Sequence, residues 1–259
     1  MPGVLVYTDG TNYFTMRGVA GSGAPTIDKY VLGALDASLP NAVANPTAYY
    51  GVDVAPAVAG SLDDEFNGSV FDTVRWTSVS FRGVATTTVS NSLLTFNYNA
   101  ADSNQSAIVQ TAPATPWTVV QKVTMASLPV SGATYRLCGI SVFATGTVTA
   151  AKCIFFSFKY TNGAFAFGQD NFTNITTFSS TPASITPPAG SVPTTVWLQL
   201  KNDGTNFTFS YSVDGVNYNT LTTYAVATWT GTVGYVGIVI GGSQTAPTLF
   251  STDYFRRTQ

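Results

Sequence analysis

From residue 62 onward, apolar and polar residues alternate in short runs broken by turn signals. "SLLTFNYNA" alternates, and "WTVVQKVTMASL" does so over a longer span. In "VWLQLKNDGTNFTFSYSVDGVNYNTL", Val196, Leu198 and Leu200 fall on one side of an extended chain. After Asp203-Gly204, the residues Phe207, Phe209, Tyr211 and Val213 fall on one side of the next, and Asp214-Gly215 turns the chain again. Side chains two residues apart share a face of a strand, so this period marks strands with one buried face. "TYRLCGISVFA", "KCIFFSFKY", "AFAFGQ" after the turn Asn162-Gly163, "GTVGYVGIVIGG" and "LFSTDYFRR" continue the series. No helical period lasts longer than a turn or two. Many short antiparallel strands, each with one apolar face, predict two sheets packed face to face. The predicted core holds Phe66, Trp76, Leu94, Phe96, Val119, Ile140, Phe156, Phe158, Leu198, Leu200, Phe207, Phe209, Val236, Ile238 and Phe255.

Residues 1–60 follow a different pattern. "GVLVYTDGTNYFTMRGV" predicts two short strands around Asp9-Gly10, a dipeptide suited to tight hairpins. The stretch that follows, up to Gly60, is rich in Ala, Pro and Gly. Its apolar residues are too sparse for a core of their own, and its one expected helix spans Ile27–Ala37. The expected organisation is therefore an N-terminal, mostly irregular arm over 1–60 that attaches or oligomerises the chain, and a β-sandwich over 61–259.

Composition narrows the function. Of 259 residues, 45% are hydrophobic but only 9% are charged, and the formal net charge is -2. The 11 Lys and Arg are scattered except for Arg256-Arg257, which argues against a nucleic-acid partner, since phosphate binding needs clustered cations. The chain has no histidine, which removes histidine-based nucleophilic catalysis and His-ligated zinc. Its two cysteines, Cys138 and Cys153, lie in neighbouring strands joined near Gly146. Buried free thiols are expected, with a disulfide as the alternative. No stretch reaches the roughly 20 apolar residues of a membrane span, so no membrane insertion is expected. "MPGVLVYTDGTNYF" carries no basic stretch followed by an apolar one, so no Sec signal is read there. An extracellular composition without such a signal fits a virus particle assembled in the host cytoplasm and exposed after release.

Two regions of the chain resemble known families. "DDEFNGSVFDTVRW" is similar to the opening signature of concanavalin A-like (laminin G-like) domains, which include lectins and glucanases. "VWLQLKNDGTNFTFSYSVDGVNY" resembles that superfamily's later strands, with Tyr218 where a tryptophan is more usual. "GYVGIVIGG" and "FSTDYFRR" resemble its closing pair. The resemblance covers about 61–259 and implies a jelly-roll sandwich whose last strand returns beside the first. In the arm, "GAPTIDKYVLGALDASLPNAV" resembles a stretch of bacteriophage tail-fibre and other virion appendage proteins. Together these imply a phage structural protein (fibre, tail or decoration type). Its arm would meet other virion proteins and its own copies, with a trimer expected.

Three chemistries are then weighed. Glu65 is the only glutamate, flanked by Asp63 and Asp64. Glycoside hydrolysis generally needs two carboxyl groups on either side of the scissile bond, and Asp63 and Glu65 would share one side of an extended strand, so no enzyme is expected. Asp63, Asp64 and Glu65, with the Asn67 carbonyl, are hard oxygen donors that could hold Ca2+, the one cofactor considered. Glycan binding would use the polar segments Asn97–Ser106 and Gly168–Phe178, read as loops, with Asn99, Asp102, Asn104, Asp170, Asn171 and Asn174 as the candidate contacts. The alternatives are a purely architectural capsid, neck or baseplate role and a cellular carbohydrate-binding module.

Overall fold

The computed structural model describes residues 4–8, 12–17, 26–31, 63–66, 69–80, 86–90, 93–97, 104–125, 135–161, 164–187, 193–229, 231–243 and 249–258. The chain divides into two compact units, Met1–Ala59 and Gly60–Gln259.

The first unit contains β1 (Val4–Thr8), β2 (Asn12–Arg17) and β3 (Thr26–Val31), an antiparallel sheet in that order. β1 and β2 pair up to Thr8↔Tyr13, the hairpin that Asp9-Gly10 predicts; that dipeptide lies outside the described residues. The helix expected over Ile27–Ala37 is corrected. Thr26–Val31 is a strand registered on β2, with Ile27 opposite Met16 and Tyr30 opposite Tyr13. Its β-branched and aromatic residues suit a pleated surface better than a helix. Residues 32–37 lie outside the described residues.

The second unit is the expected sandwich. Its strands are β4 (Thr77–Ser80), β5 (Thr86–Ser90), β6 (Leu93–Asn97), β7 (Asn104–Thr111), β8 (Trp117–Met125), β9 (Tyr135–Ala144), β10 (Cys153–Thr161), β11 (Ala164–Asn174) and β12 (Thr177–Ile185). They continue with β13 (Thr195–Asn202), β14 (Asn206–Ser212), β15 (Asn219–Ala225), the one-turn helix α1 (Val226–Trp229), β16 (Val233–Ser243) and β17 (Leu249–Thr258). One seven-stranded sheet runs β12-β11-β10-β9-β16-β7-β4 and the other β15-β14-β13-β8-β17-β6-β5. All the described pairings are antiparallel. α1 carries no helical period in the sequence; it is a single turn that follows β15 directly.

The alternation in the sequence becomes the burial pattern. β8 buries every second residue from Trp117 to Met125, and β13 buries Val196, Leu198, Leu200 and Asn202. These face Ile140, Phe156, Phe158, Val236 and Ile238 of the other sheet in one apolar cluster. Fourteen of the fifteen predicted core residues belong to that cluster; the side chain of the fifteenth, Phe96, lies outside the described residues. Val213 is corrected. It falls just past β14 and is 58% exposed, because the strand ends at Ser212 and the chain turns away at Asp214-Gly215.

The cysteines are free and buried. The β9–β10 hairpin forms around Gly146, but Cys138 pairs with Phe158 and Cys153 with Phe143. Five positions of register separate the two, roughly 16 Å along the strands. They also point to opposite faces, Cys138 into the sandwich core and Cys153 into a second apolar cluster outside it. Burial pushes the Cys138 thiol up to about 12 and raises that of Cys153 as well, so neither thiol is reactive in the folded protein.

Leu198 is fully buried at the centre of β13. Leu198→Asp places an unpaired charge there and is expected to cost about 4–5 kcal/mol or more, enough to abolish a cooperative melt followed by circular dichroism. A second prediction concerns acid. The Asp214 carboxylate accepts the Asn217 backbone N–H, the Asn217 side-chain amide, the Val216 N–H and the Ser212 hydroxyl, which hold it far below the usual carboxylate range. Asp203 is lowered for the same kind of reason, by the Asn206 and Thr205 N–H groups. A depressed folded-state value contributes stability above the unfolded value of about 4, which is lost as pH falls below it. Asp214→Asn keeps an acceptor and removes the titration, so its melting temperature is expected to drop less than that of the wild type between pH 7 and pH 3.

Candidate functional site

The acidic stretch at the start of the sandwich proves to be a latch onto the last strand. Asp64 and Phe255 form an isolated antiparallel bridge, each N–H donating to the other's carbonyl at 3.0 and 2.9 Å. Asp64 Oδ1 accepts the Phe66 N–H at 2.7 Å, and Oδ2 accepts the Trp76 indole N–H at 2.7 Å. These bonds hold Phe66 at φ 49°, a left-handed conformation that a phenylalanine rarely adopts. Phe66 stacks on Trp76, and Trp76 meets Phe255 edge-on at 5.3 Å, so the turn delivers both rings to the core.

The other two carboxylates have separate partners. Asp63 Oδ1 accepts the Arg257 N–H at 2.7 Å, and its carbonyl accepts from Arg75 Nη1. Arg256 makes a two-pronged pair with Glu65, Nε to Oε1 at 2.7 Å and Nη2 to Oε2 at 2.8 Å. Asp63, Asp64 and Glu65 therefore do not fit a calcium cage: their oxygens are turned to three different sets of protein donors. Among the described residues no three acidic or thiol side chains converge. Asn67 lies outside the described residues.

The segment Gly168–Phe178 is corrected from a loop to strand, turn and strand: β11 runs through Asn174, Ile175 and Thr176 turn, and β12 follows. The apolar stretch before it and the unbroken pairing with β10 carry the strand on through its polar residues. The three candidates within it consequently do three different things. Asn171 faces inward, donating to the Tyr224 hydroxyl at 3.2 Å and accepting from Gln169 Nε2 at 3.0 Å. Asp170, its neighbour in the strand, faces outward. Asn174 Oδ1 accepts from the N–H and hydroxyl of Thr176 and shapes the exposed turn. Asn99 and Asp102 lie outside the described residues, and Asn104 begins β7.

Asp170 centres the most polar part of the sheet's outer face. Lys159 Nζ donates to its two oxygens at 2.8 and 2.9 Å, and the Thr181 hydroxyl of β12 donates to Oδ1 at 2.6 Å. Lys159 reaches Asp170 by lying across Gly168. A Cβ there would sit 2.5 Å from the Lys159 Cε, so only glycine leaves the path open. Ser157 pairs with Gly168 on one side and Gly139 on the other, and its buried Oγ has no hydrogen-bond partner, like that of Ser141 one row away. Phe172 shares the outer face with Asp170, and Phe178 of β12 meets it edge-on at 5.6 Å. Phe178 is 57% exposed and Thr181 is exposed, so the buried Lys159–Asp170 pair lies one strand in from a solvent-facing lip. Lys159, Ser157, Thr181 and Phe178 were not among the expected contacts. The sequence signal that could have found Lys159 is its single charge inside the otherwise uncharged run "CIFFSFKYT".

No family model matches the chain, and no curated protein sequence matches it. Solved structures do match. The GH43 BlXynB protein from Bacillus licheniformis is similar with a TM-score of 0.55 and 15% identity over 76% of this chain and 39% of that one. The VIP36 exoplasmic/lumenal domain in its Ca2+-bound form gives 0.53 and 10% over 76% and 88%. A functionally unknown protein from Saccharomyces cerevisiae gives 0.50 and 12% over 73% and 98%. The chain thus spans between about two fifths and one half of BlXynB. The likeness shows the fold: an antiparallel jelly-roll β-sandwich.

The latch can be graded. Asp64→Ala removes the acceptor for the buried Trp76 indole and the Phe66 N–H and is expected to cost about 2 kcal/mol in urea unfolding. Glu65→Gln weakens a partly exposed pair and should cost about 1 kcal/mol or less. The reverse order would contradict the roles assigned to the two residues.

Proposed function

We propose that this protein is a non-enzymatic glycan-binding β-sandwich, carried as an exposed module of a virus particle of the bacteriophage fibre, tail or decoration type. The observation that carries the glycan reading is the exposed Phe178 ring beside Asp170, Lys159 and Thr181. Sugars present apolar C–H faces and rings of hydroxyls, and they are held by aromatic faces flanked by fixed donors and acceptors. The exposed lip of β12 carries hydroxyl groups on Thr177, Ser179, Ser180 and Thr181, each able to donate and to accept, and the Lys159–Asp170 pair fixes Thr181 from beneath. The VIP36 domain, which shares the fold, has been solved with Man2 bound, which supports the same use of this scaffold.

The non-enzymatic reading rests on the carboxylates. Asp63, Asp64, Glu65 and Asp170 each accept hydrogen bonds from their own chain, and Glu65 has both oxygens on Arg256. The paired acids of glycoside hydrolysis stand on either side of the scissile bond, whereas Asp63, Asp64 and Glu65 follow one another along one stretch of chain and are engaged by their own protein donors. The virion reading rests on the arm's resemblance and on the charge-poor, threonine- and serine-rich composition. In it, residues 1–60 attach the protein to other virion components and join its copies, with a trimer expected.

Phe178→Ala is expected to lower affinity for the best ligand of a glycan array by about tenfold, with only a small fall in melting temperature because the ring is more than half exposed and loses one edge-on contact with Phe172. Equal binding by mutant and wild type would move the site elsewhere, and the lack of any glycan ligand would sink the reading. Mass spectrometry of purified particles with immunogold labelling tests the virion role. Absence of the protein from every particle examined would leave a cellular carbohydrate-binding module.

A further inference from the structure

Building on the glycan reading of this site, we infer that it is selective for uncharged glycans and rejects acidic ones, because its single cation is neutralised from within. The sheet itself carries the argument. Among all the strand residues of β12, β11, β10, β9, β16, β7 and β4, only Arg136, Lys159 and Asp170 are charged. Arg136 shares the parity of Cys138 and Ile140, which face the opposite sheet, and is 1% exposed, so it does not look out onto the site. The outer face is left with one ammonium and one carboxylate bonded to each other at 2.8 and 2.9 Å, with Thr181 closing on the same oxygen.

An acidic sugar, whether sialylated, uronic or phosphorylated, would bring a second anion to a lysine already matched by Asp170. It would have to displace that carboxylate or be buried beside it, and a like charge close by in a desolvated site disfavours either arrangement. A neutral sugar meets no such obstacle. It can meet the Phe178 ring and the exposed hydroxyls of Ser180 and Thr181 at the lip without disturbing the buried pair. The remaining groups around the lip, Thr177, Ser179, Ser180 and Thr181 of β12, are uncharged as well. Discrimination of this kind comes from a repulsive element as much as from an attractive one.

The test uses the full chain and two immobilised probes, a neutral oligosaccharide that the array identifies as a ligand and the same oligosaccharide bearing a terminal sialic acid next to the recognised unit. The wild type is expected to favour the neutral probe by about tenfold or more. Its binding should change by less than about twofold between 50 and 500 mM salt, since no net charge is exchanged. Asp170→Asn frees the ammonium and should shift the preference toward the sialylated probe by about tenfold, in a salt-sensitive manner. If that variant does not fold, the wild-type preference and salt response decide alone. Equal or stronger wild-type binding of the sialylated probe would overturn the inference and leave the glycan site standing. Binding of neutral sugars that Phe178→Ala does not affect would instead overturn the site.

Discussion

The last two strands of the sandwich occupy the middle of its two sheets. β16 lies between β9 and β7, and β17 lies between β8 and β6. Neither sheet is continuous until the C-terminal third of the sandwich has been placed, so the fold rests on contacts between residues far apart in the chain. The Asp64–Phe255 bridge fixes how β17 arrives, and the Trp76 and Phe66 rings seal the space beside Phe255. The first short stretch of the sandwich is thereby tied to the last. The carboxylates that looked like chemistry in the sequence are used to hold this closure.

Much of the fold was legible because a sheet has a period of two. Wherever a strand buries one face, as β8 and β13 do, the sequence alternates and the core can be read directly. The reading weakened where both faces are covered. β10 carries Ile154, Phe156 and Phe158 toward the sandwich core and Cys153 and Phe155 toward the outer cluster, so its sequence picked out the inward residues Phe156 and Phe158 but held no sign that the opposite face is covered too. β11 was cut short for the opposite reason. Its polar residues Gln169, Asp170 and Asn171 suggested a loop, yet they are buried and bonded within a continuous ladder. The Ile27 helix failed because a short segment of mixed residues takes its conformation from the strand beside it.

The candidate site was half visible. Asp170 was identified by residue type, but its meaning depends on Lys159, eleven residues earlier, and on Thr181, eleven later. Only the pairing register brings those three side chains together, and no spacing rule announces it. The same register separates Asp170 from Asn171, which adjacent letters had grouped. The arrangement itself, an exposed aromatic ring on β12 near a buried ion pair that spans β10 and β11, is a property of three neighbouring strands and of no single motif.

The scarcity of charge in the seven-stranded sheet has a consequence before the fold exists. Until β16 is inserted, β7 and β9 each have a side without its partner, and β9 and β10 present long apolar sequences with almost no charged residues to deter other chains. Topologies dominated by distant pairings assemble slowly. A newly made chain therefore has an interval before closure in which its own apolar strands can pair with those of a neighbouring chain as well as with each other.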